Sequence, residues 1–240
     1  MTQFPFRRLQ AELIQMIESM PAESQLPSEP YLAKQLGVSR ATLREAMRAI
    51  EGRGLIRRRQ GVGTFVVGKI PVIESGLEVL ESIETLAQRI GLKVRMGELQ
   101  VEQSQAEAAE AEALGVARGA PLTRVERVIY TENTPIAYLI DILPADVLSE
   151  EEIGNGFSGS VLDLLLRRGA PKLSHSRTEI RAIGATPEVA RALQVQRDDV
   201  LLHFVALLYD ENGRAIDFSH SYFRPGYFRF HVVRRVGQAE

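Results

Sequence analysis

A chain of 240 residues, 45% hydrophobic and 25% charged, has the make-up of a folded globular protein with room for two domains, which excludes a disordered or fibrous chain. It has no cysteine, so disulfides, thiolate catalysis and cysteine-based metal sites are excluded, and a reducing cytoplasm is the expected location. The formal net charge is only −2, yet residues 1–70 sum to +5 and the remainder to −7, so a basic module for a polyanion joined to an acidic module with another task is expected.

From Phe6 to Met20, Leu9, Leu13, Met16, Ile17 and Met20 recur at spacings of three and four, which predicts an amphipathic helix ended by Pro21. Acids at Glu12 and Glu18 interrupt it, so it is expected to be neither a signal peptide nor a membrane anchor. Ser28 is placed to cap a short second helix carrying Leu32, Ala33 and Leu36, which Gly37 stops. Ser39 then caps a third, in which Leu43, Ala46, Met47 and Ile50 form one apolar stripe. Two short helices joined through "GVS" predict a helix-turn-helix.

Off that stripe, Arg40, Arg44 and Arg48 recur every four residues, with Thr42 between them. Such a helix suits the major groove of DNA, where arginine pairs bidentately with guanine while hydroxyls at the helix start meet phosphates. The bland alternative is that Arg44 and Arg48 pair with Glu45 or Glu51 on a solvated face. The next segment argues against it. "LIRRRQGVGTFVV" predicts two strands, Leu55–Arg59 and Thr64–Val67, around a glycine turn: a basic wing apt for phosphate or minor-groove contact.

"LPSE", "LGVSRATLREAMRAIEGRGLI" and "RRQGVGTFV" closely resemble the N-terminal winged helix-turn-helix of the GntR family of bacterial transcription regulators. The resemblance implies DNA contacts from Ser39, Arg40, Thr42 and Arg44 on the recognition helix and from Gly61 and Gly63 in the wing, where Arg59 and Thr64 flank the tip. It departs at Pro30, where relatives usually carry an arginine. Proline has no N–H and no cationic head, so one expected contact is missing.

Residues 71–78, within "GKIPVIESGLE", lack a periodic apolar pattern and read as a linker between a DNA-binding domain at 1–70 and a second domain at 79–240. In the second domain "EVLESIETLAQRIGLKV" predicts a helix ending at Gly91, "RMGELQVEQ" a strand and "AEAAEAEALGVA" an acidic helix. "PLTRVERVIYTENTPIAYLIDILP" alternates on both sides of "ENT" and predicts an antiparallel hairpin. A helix at "SVLDLLLRRG" and another at about Pro187–Leu193 accompany three more strands: "LSHSRTEIRAIG", "VLLHFVALLYD" and "RAIDFSHSYFRPGYFRFHVVRRV". The fold class expected is therefore multidomain: a mainly α winged helix-turn-helix with a small β-wing, then an α+β domain on an antiparallel sheet. His175, His203, His220 and His231 read as surface or half-buried strand residues without metal-ligand spacing, and no nucleophile or phosphate-loop motif occurs. No catalytic residue, metal or cofactor is expected.

"GAPLTRVERVIYTENTPIAYLIDILP", "ATPEVARALQV" and "LLYDENGRAIDFSHSYFRPGYFRFHV" resemble the UTRA effector domain of the HutC-type branch of GntR regulators, a fold similar to chorismate lyase. The resemblance implies that Arg127, Ser176, Thr178 and Asp217 hold a small metabolite, with Glu84 on the first effector helix at a position where relatives carry a hydroxyl. Sugar-phosphate binders commonly add an arginine where this chain has Ile129. With one arginine fewer and one carboxylate more, the ligand is expected to be less anionic than a sugar phosphate. The function implied is a homodimeric, effector-responsive regulator, usually a repressor, that reads a palindromic operator in double-stranded DNA and has no membrane partner. The alternative, a chorismate-lyase-like enzyme with an accessory DNA-binding domain, ranks well below it.

Overall fold

A computed structural model describes residues 3–21, 24–52, 54–59, 62–67, 72–154, 157 and 159–234. Two compact units divide the chain: Met1–Val72 with Pro225–Tyr227, and Ile73–Arg224 with Phe228–Glu240.

The first unit contains α1 (Gln3–Glu18), α2 (Glu29–Gln35), α3 (Arg40–Gly52), β1 (Ile56–Arg59) and β2 (Gly63–Val66). Leu9, Leu13 and Ile17 of α1, Leu32 of α2, and Leu43, Ala46, Met47 and Ile50 of α3 are buried together, so the predicted stripes do face one core. The turn between α2 and α3 closes on a bond from the Val38 N–H to the Ala33 carbonyl at 3.0 Å. Gly37 sits there at φ +64°, a conformation that favours glycine. β1 and β2 pair antiparallel from Ile56 with Val66 to Arg59 with Gly63. A third strip that sequence reasoning overlooked joins them, as Leu26 N–H donates to the Thr64 carbonyl (2.7 Å) and Val66 N–H to that of Ser24 (2.8 Å).

In the second unit the order is β3 (Ile73–Gly76), α4 (Ile83–Arg89), β4 (Val94–Gln105), α5 (Ala108–Leu114), β5 (Pro121–Thr131), β6 (Thr134–Pro144), α6 (Glu150–Gly154), α7 (Val161–Arg168), β7 (Leu173–Gly184), α8 (Pro187–Ala192), β8 (Val200–Asp210), β9 (Ala215–Phe223) and β10 (Phe228–His231). Six long strands form an antiparallel sheet in the order β4-β5-β6-β9-β8-β7. On one face Tyr138, Ile140 and Ile142 pack with Leu114 of α5 and Val189 of α8. On the other, Val125 and Leu143 pack with Ile153 of α6 and with Val161 and Leu165 of α7.

Three local readings change. The linker expected at 71–78 contains β3, which pairs in parallel with β10, 155 residues further along. A four-residue strand with so distant a partner carries no local periodicity to announce it. The helix expected from Glu78 starts only at Ile83, because the Ser82 hydroxyl accepts the Thr85 N–H at 3.0 Å and caps it there. The last long strand breaks at Pro225–Gly226 into β9 and β10, which belong to different sheets.

Candidate nucleic-acid interface and ligand cavity

In α3 the buried stripe leaves Arg40, Arg44 and Arg48 exposed on the far side of the helix. Ser39 accepts the Thr42 N–H at 3.1 Å, and the two hydroxyls lie 2.8 Å apart, so both are engaged in capping the recognition helix. Arg44 donates through Nε to Glu29 Oε2 at 2.7 Å. That acid belongs to α2, outside the α3 acids Glu45 and Glu51 suggested by the sequence. The bond engages Nε and not the terminal amino groups, the part of the fork that reads guanine with Nη donors. Glu29 also holds Arg58 of β1 (Oε1 to Nη2, 3.4 Å), and Glu51 accepts the Arg58 N–H at 3.0 Å. Helix α2, helix α3 and the wing are thus tied by one cluster of charge.

In the wing, Gly63 adopts φ +145°, and a Cβ there would stand 2.2 Å from Gln25 Nε2, itself bonded to the Val62 carbonyl at 2.9 Å. The need for glycine at 63 therefore follows from its backbone conformation, since the Gln25 side chain could move aside but an L residue would be strained at that φ. Thr64 is committed through its carbonyl to Leu26. Arg59 pairs by its backbone with Gly63, and Gly61 lies outside the described residues. Pro30 is exposed in the first turn of α2, where its fixed φ favours helix initiation.

Within the second unit, a cavity of about 770 Å³ opens over the sheet face that carries α7. Glu84, Arg127, Ser176, Thr178 and Asp217 all line it. The register explains how residues so far apart in sequence meet. Along β9, Asp217, Ser219, Ser221 and Phe223 alternate onto the cavity face, and Leu208, Ala206 and Phe204 of β8 stand beside the first three. Thr178 and Ser176 of β7 extend the rows beside Ala206 and Leu208, while Leu139 and Asp141 of β6 oppose Ser221 and Ser219. Arg127 enters from β5 opposite Leu139.

Arg127 is buried and pairs through Nη1 with Asp141 Oδ2. Asp141 was missed in the sequence, although a lone acid inside the apolar run "AYLIDILP" is the kind of residue that needs a partner. Asp217, beside them, is held well above the usual carboxylate range, first by burial and then by the Asp141 carboxylate; Arg127 and the Ile142 N–H offset this in part. Its Oδ1 has no hydrogen-bond partner, nor do Arg127 Nε and Glu84 Oε1. Burial also raises Glu84, with Arg127 offsetting.

Of the histidines, His175 lines the cavity and stacks on Tyr209 at 4.9 Å. His203 is buried, bonds ring to ring with His220 at 3.2 Å and stacks on Tyr222 at 4.3 Å. Its pKa is pushed down to about 4 by burial and by the neighbouring His220 and Arg181. Among the described residues no cluster of acids and histidines is arranged to hold a metal, and no helix is long and apolar enough to cross a membrane.

The gntR model of bacterial regulatory proteins matches residues 5–66, and the UTRA domain model matches residues 89–229. The chain is 28% identical over 214 residues to the HTH-type transcriptional repressor NagR of Bacillus subtilis, covering 88% of this chain and 86% of the relative. To the histidine utilization repressor of Pseudomonas putida it is 29% identical over 202 residues, covering 82% and 79%. The crystal structure of PhnF from Mycobacterium smegmatis superposes with a TM-score of 0.65 at 25% identity, covering 95% of this chain and all of that one. A basic recognition helix and wing, followed by a cavity-bearing antiparallel sheet that the UTRA model covers, place the chain in the GntR family of bacterial regulatory proteins, in its HutC-type branch.

Proposed function

We propose that this protein is a transcription repressor that grips operator DNA with its first unit and is controlled by a small molecule bound in the cavity of its second. The observation that carries the reading is α3: four apolar residues buried on one side and Arg40, Arg44 and Arg48 exposed on the other, with a basic wing following. Ser39, Thr42, Arg59, Gly61, Gly63 and Thr64 complete the proposed contact set, the hydroxyls and the wing meeting phosphates and the arginines meeting bases. The relatives named as repressors support the sign of regulation.

A twofold dimer presenting two recognition helices would read a palindromic operator, in the cytoplasm where such DNA is found. Glu84, Arg127, Ser176, Thr178 and Asp217 form the proposed effector contacts. We read the second unit as a receptor and not as a catalyst: Arg127 and the carboxylates around it suffice for binding, and no bond-breaking step is needed for control. Selection of operator sequences from random DNA, followed by footprinting and sedimentation, tests this reading. It expects a palindromic footprint bound by a dimer, and sequence-independent binding would overturn it. Release of pyruvate on incubation with chorismate would establish the enzymatic alternative.

A further inference from the structure

Resting on the reading of the second unit as a receptor, the charge inside the cavity indicates what kind of molecule it receives. One cationic side chain, Arg127, lines the cavity together with five carboxylates, Glu78, Glu81, Glu84, Asp141 and Asp217. Two of these are satisfied at the surface, Glu81 by Arg89 and Glu78 by the Val233 N–H. Arg127 and Asp141 neutralise one another. What remains is Asp217, 6% exposed, which meets Asp141 and the Ile142 N–H yet keeps Oδ1 unpartnered, and half-buried Glu84 with Oε1 unpartnered. A buried acceptor without a donor is costly, so these two atoms call for donors from outside the protein.

The surroundings disfavour an anion as that partner. Arg127 spends Nη1 on Asp141 and leaves Nε as its unpartnered donor, so an anion would gain one cationic contact while facing the carboxyl groups of Asp217 and Glu84. The N-terminal turns of α4 and α7, whose dipoles favour anions, carry acids of their own, Glu84 and Asp163.

The remaining walls are apolar. Phe204 and Phe223 stand 5.0 Å apart and lie against Phe230 at 4.7 and 5.0 Å. Leu77, Val79, Leu80, Leu166 and Ile180 line the cavity while exposed to solvent. On β9 the carboxylate of Asp217 and the ring of Phe223 share one face six residues apart, about 20 Å along the strand. A face running from a carboxylate through two serines to a cluster of phenylalanines suits a molecule with a charged head and an apolar body.

We infer that the cavity takes an organic cation, an amine or amidine with an apolar body, seated with its head on Asp217 and Glu84 and its body toward Phe204 and Phe223. The raised pKa of Asp217 gives this a signature. Asp141 and Arg127 face Asp217, Glu84 and His175 line the same cavity, and an incoming cation favours the ionised carboxylate, so binding releases a proton and tightens as pH rises.

The test uses the full-length protein and pairs of probes that share a body and differ in the head: tyramine with 4-hydroxyphenylacetate, phenethylamine with phenylacetate, and agmatine with adipate. Melting shifts and calorimetry, in two buffers of different ionisation enthalpy, give affinity and proton release. The expected result is an amine that binds at least tenfold tighter than its anionic partner, with proton release, and that loses this advantage in Asp217→Asn. Glu84→Gln gives a second measurement at the other carboxylate. Preference for an anionic probe, no amine binding at millimolar concentration, or amine binding unchanged in both variants would overturn the inference. An amine that binds as expected yet leaves operator affinity unaltered would instead sink the effector reading and leave the inference about the cavity standing.

Discussion

Arg44 of α3 and Glu29 of α2 are joined by a 2.7 Å bond, so the arginine proposed to read bases is held by an acid fifteen residues before it that also supports Arg58 of the wing. Exposed ion pairs contribute about 0–1 kcal/mol to stability, so the bond's value lies in where it holds the guanidinium. Glu29→Ala is expected to change unfolding free energy by less than about 1 kcal/mol while lowering the ratio of operator to random-DNA affinity. The loss of a negative charge at the interface also raises random-DNA binding. Titrations of both DNAs at two salt concentrations check this, and an unaltered ratio would count against it.

Arg44→Ala is expected to weaken operator binding by about 1–3 kcal/mol and to relax preference at one base position in each half-site. Competition against operators substituted at each position measures it. A uniform loss across all sequences would make Arg44 a phosphate contact.

Leu43 is fully buried where α3 meets the core of the first unit. Leu43→Ala is expected to cost about 2–5 kcal/mol, the usual range for a large core truncation. Calorimetry should show one transition shifted downward by this variant, with the transition of the second unit in place; a variant as stable as the parent would contradict the assigned core.

Asp217 should make stability fall as pH rises. Its folded pKa lies above the unfolded value of about 3.9, so its favourable contribution is complete below that value and is lost as pH rises toward the folded pKa. Asp217→Asn, which cannot ionise, should match the parent near pH 3.5 and exceed it increasingly at higher pH in urea unfolding. An equal gap at every pH would show that the carboxylate does not titrate upward.

His203 has the opposite sign. With a folded pKa of about 4 against an unfolded value of about 6.5, it contributes stability above pH 6.5 that is lost as pH falls toward 4. His203→Gln is expected to flatten the acid limb of the stability profile over that range. An imidazole NMR titration with a midpoint near 6.5 would remove the basis for the effect.

The first unit was legible because its signals are local. Leu43, Ala46, Met47 and Ile50 mark their helix within eight residues, and the wing is announced by its own glycines. Arg127 and Asp217 could be singled out only through the UTRA resemblance, since each looks like any strand residue by itself. What escaped depends on register or on distant pairing. That Asp141 meets Arg127 is decided by the β5–β6 pairing, and Glu29 reaches Arg44 only after the α2–α3 turn has formed. The start of α4 was misplaced because "EVLE" carries helix-compatible residues, while the Ser82 cap overrides them.

The pairing of β3 with β10 has a consequence for tether length. Ser75 and Gly76 of β3 and Phe228 and Phe230 of β10 line the cavity, and β3 is the first strand after the wing. From Val67 to Ile73 the chain spans six residues, at most about 20 Å; released as far as Ile83 it would span sixteen, or about 55 Å. In the proposed dimer, the effective concentration of a second recognition helix at its half-site falls steeply once a tether exceeds the span it must bridge. A ligand that tightens or loosens this two-stranded ribbon would therefore set the leash on which each DNA-binding unit searches, without touching a residue that contacts DNA.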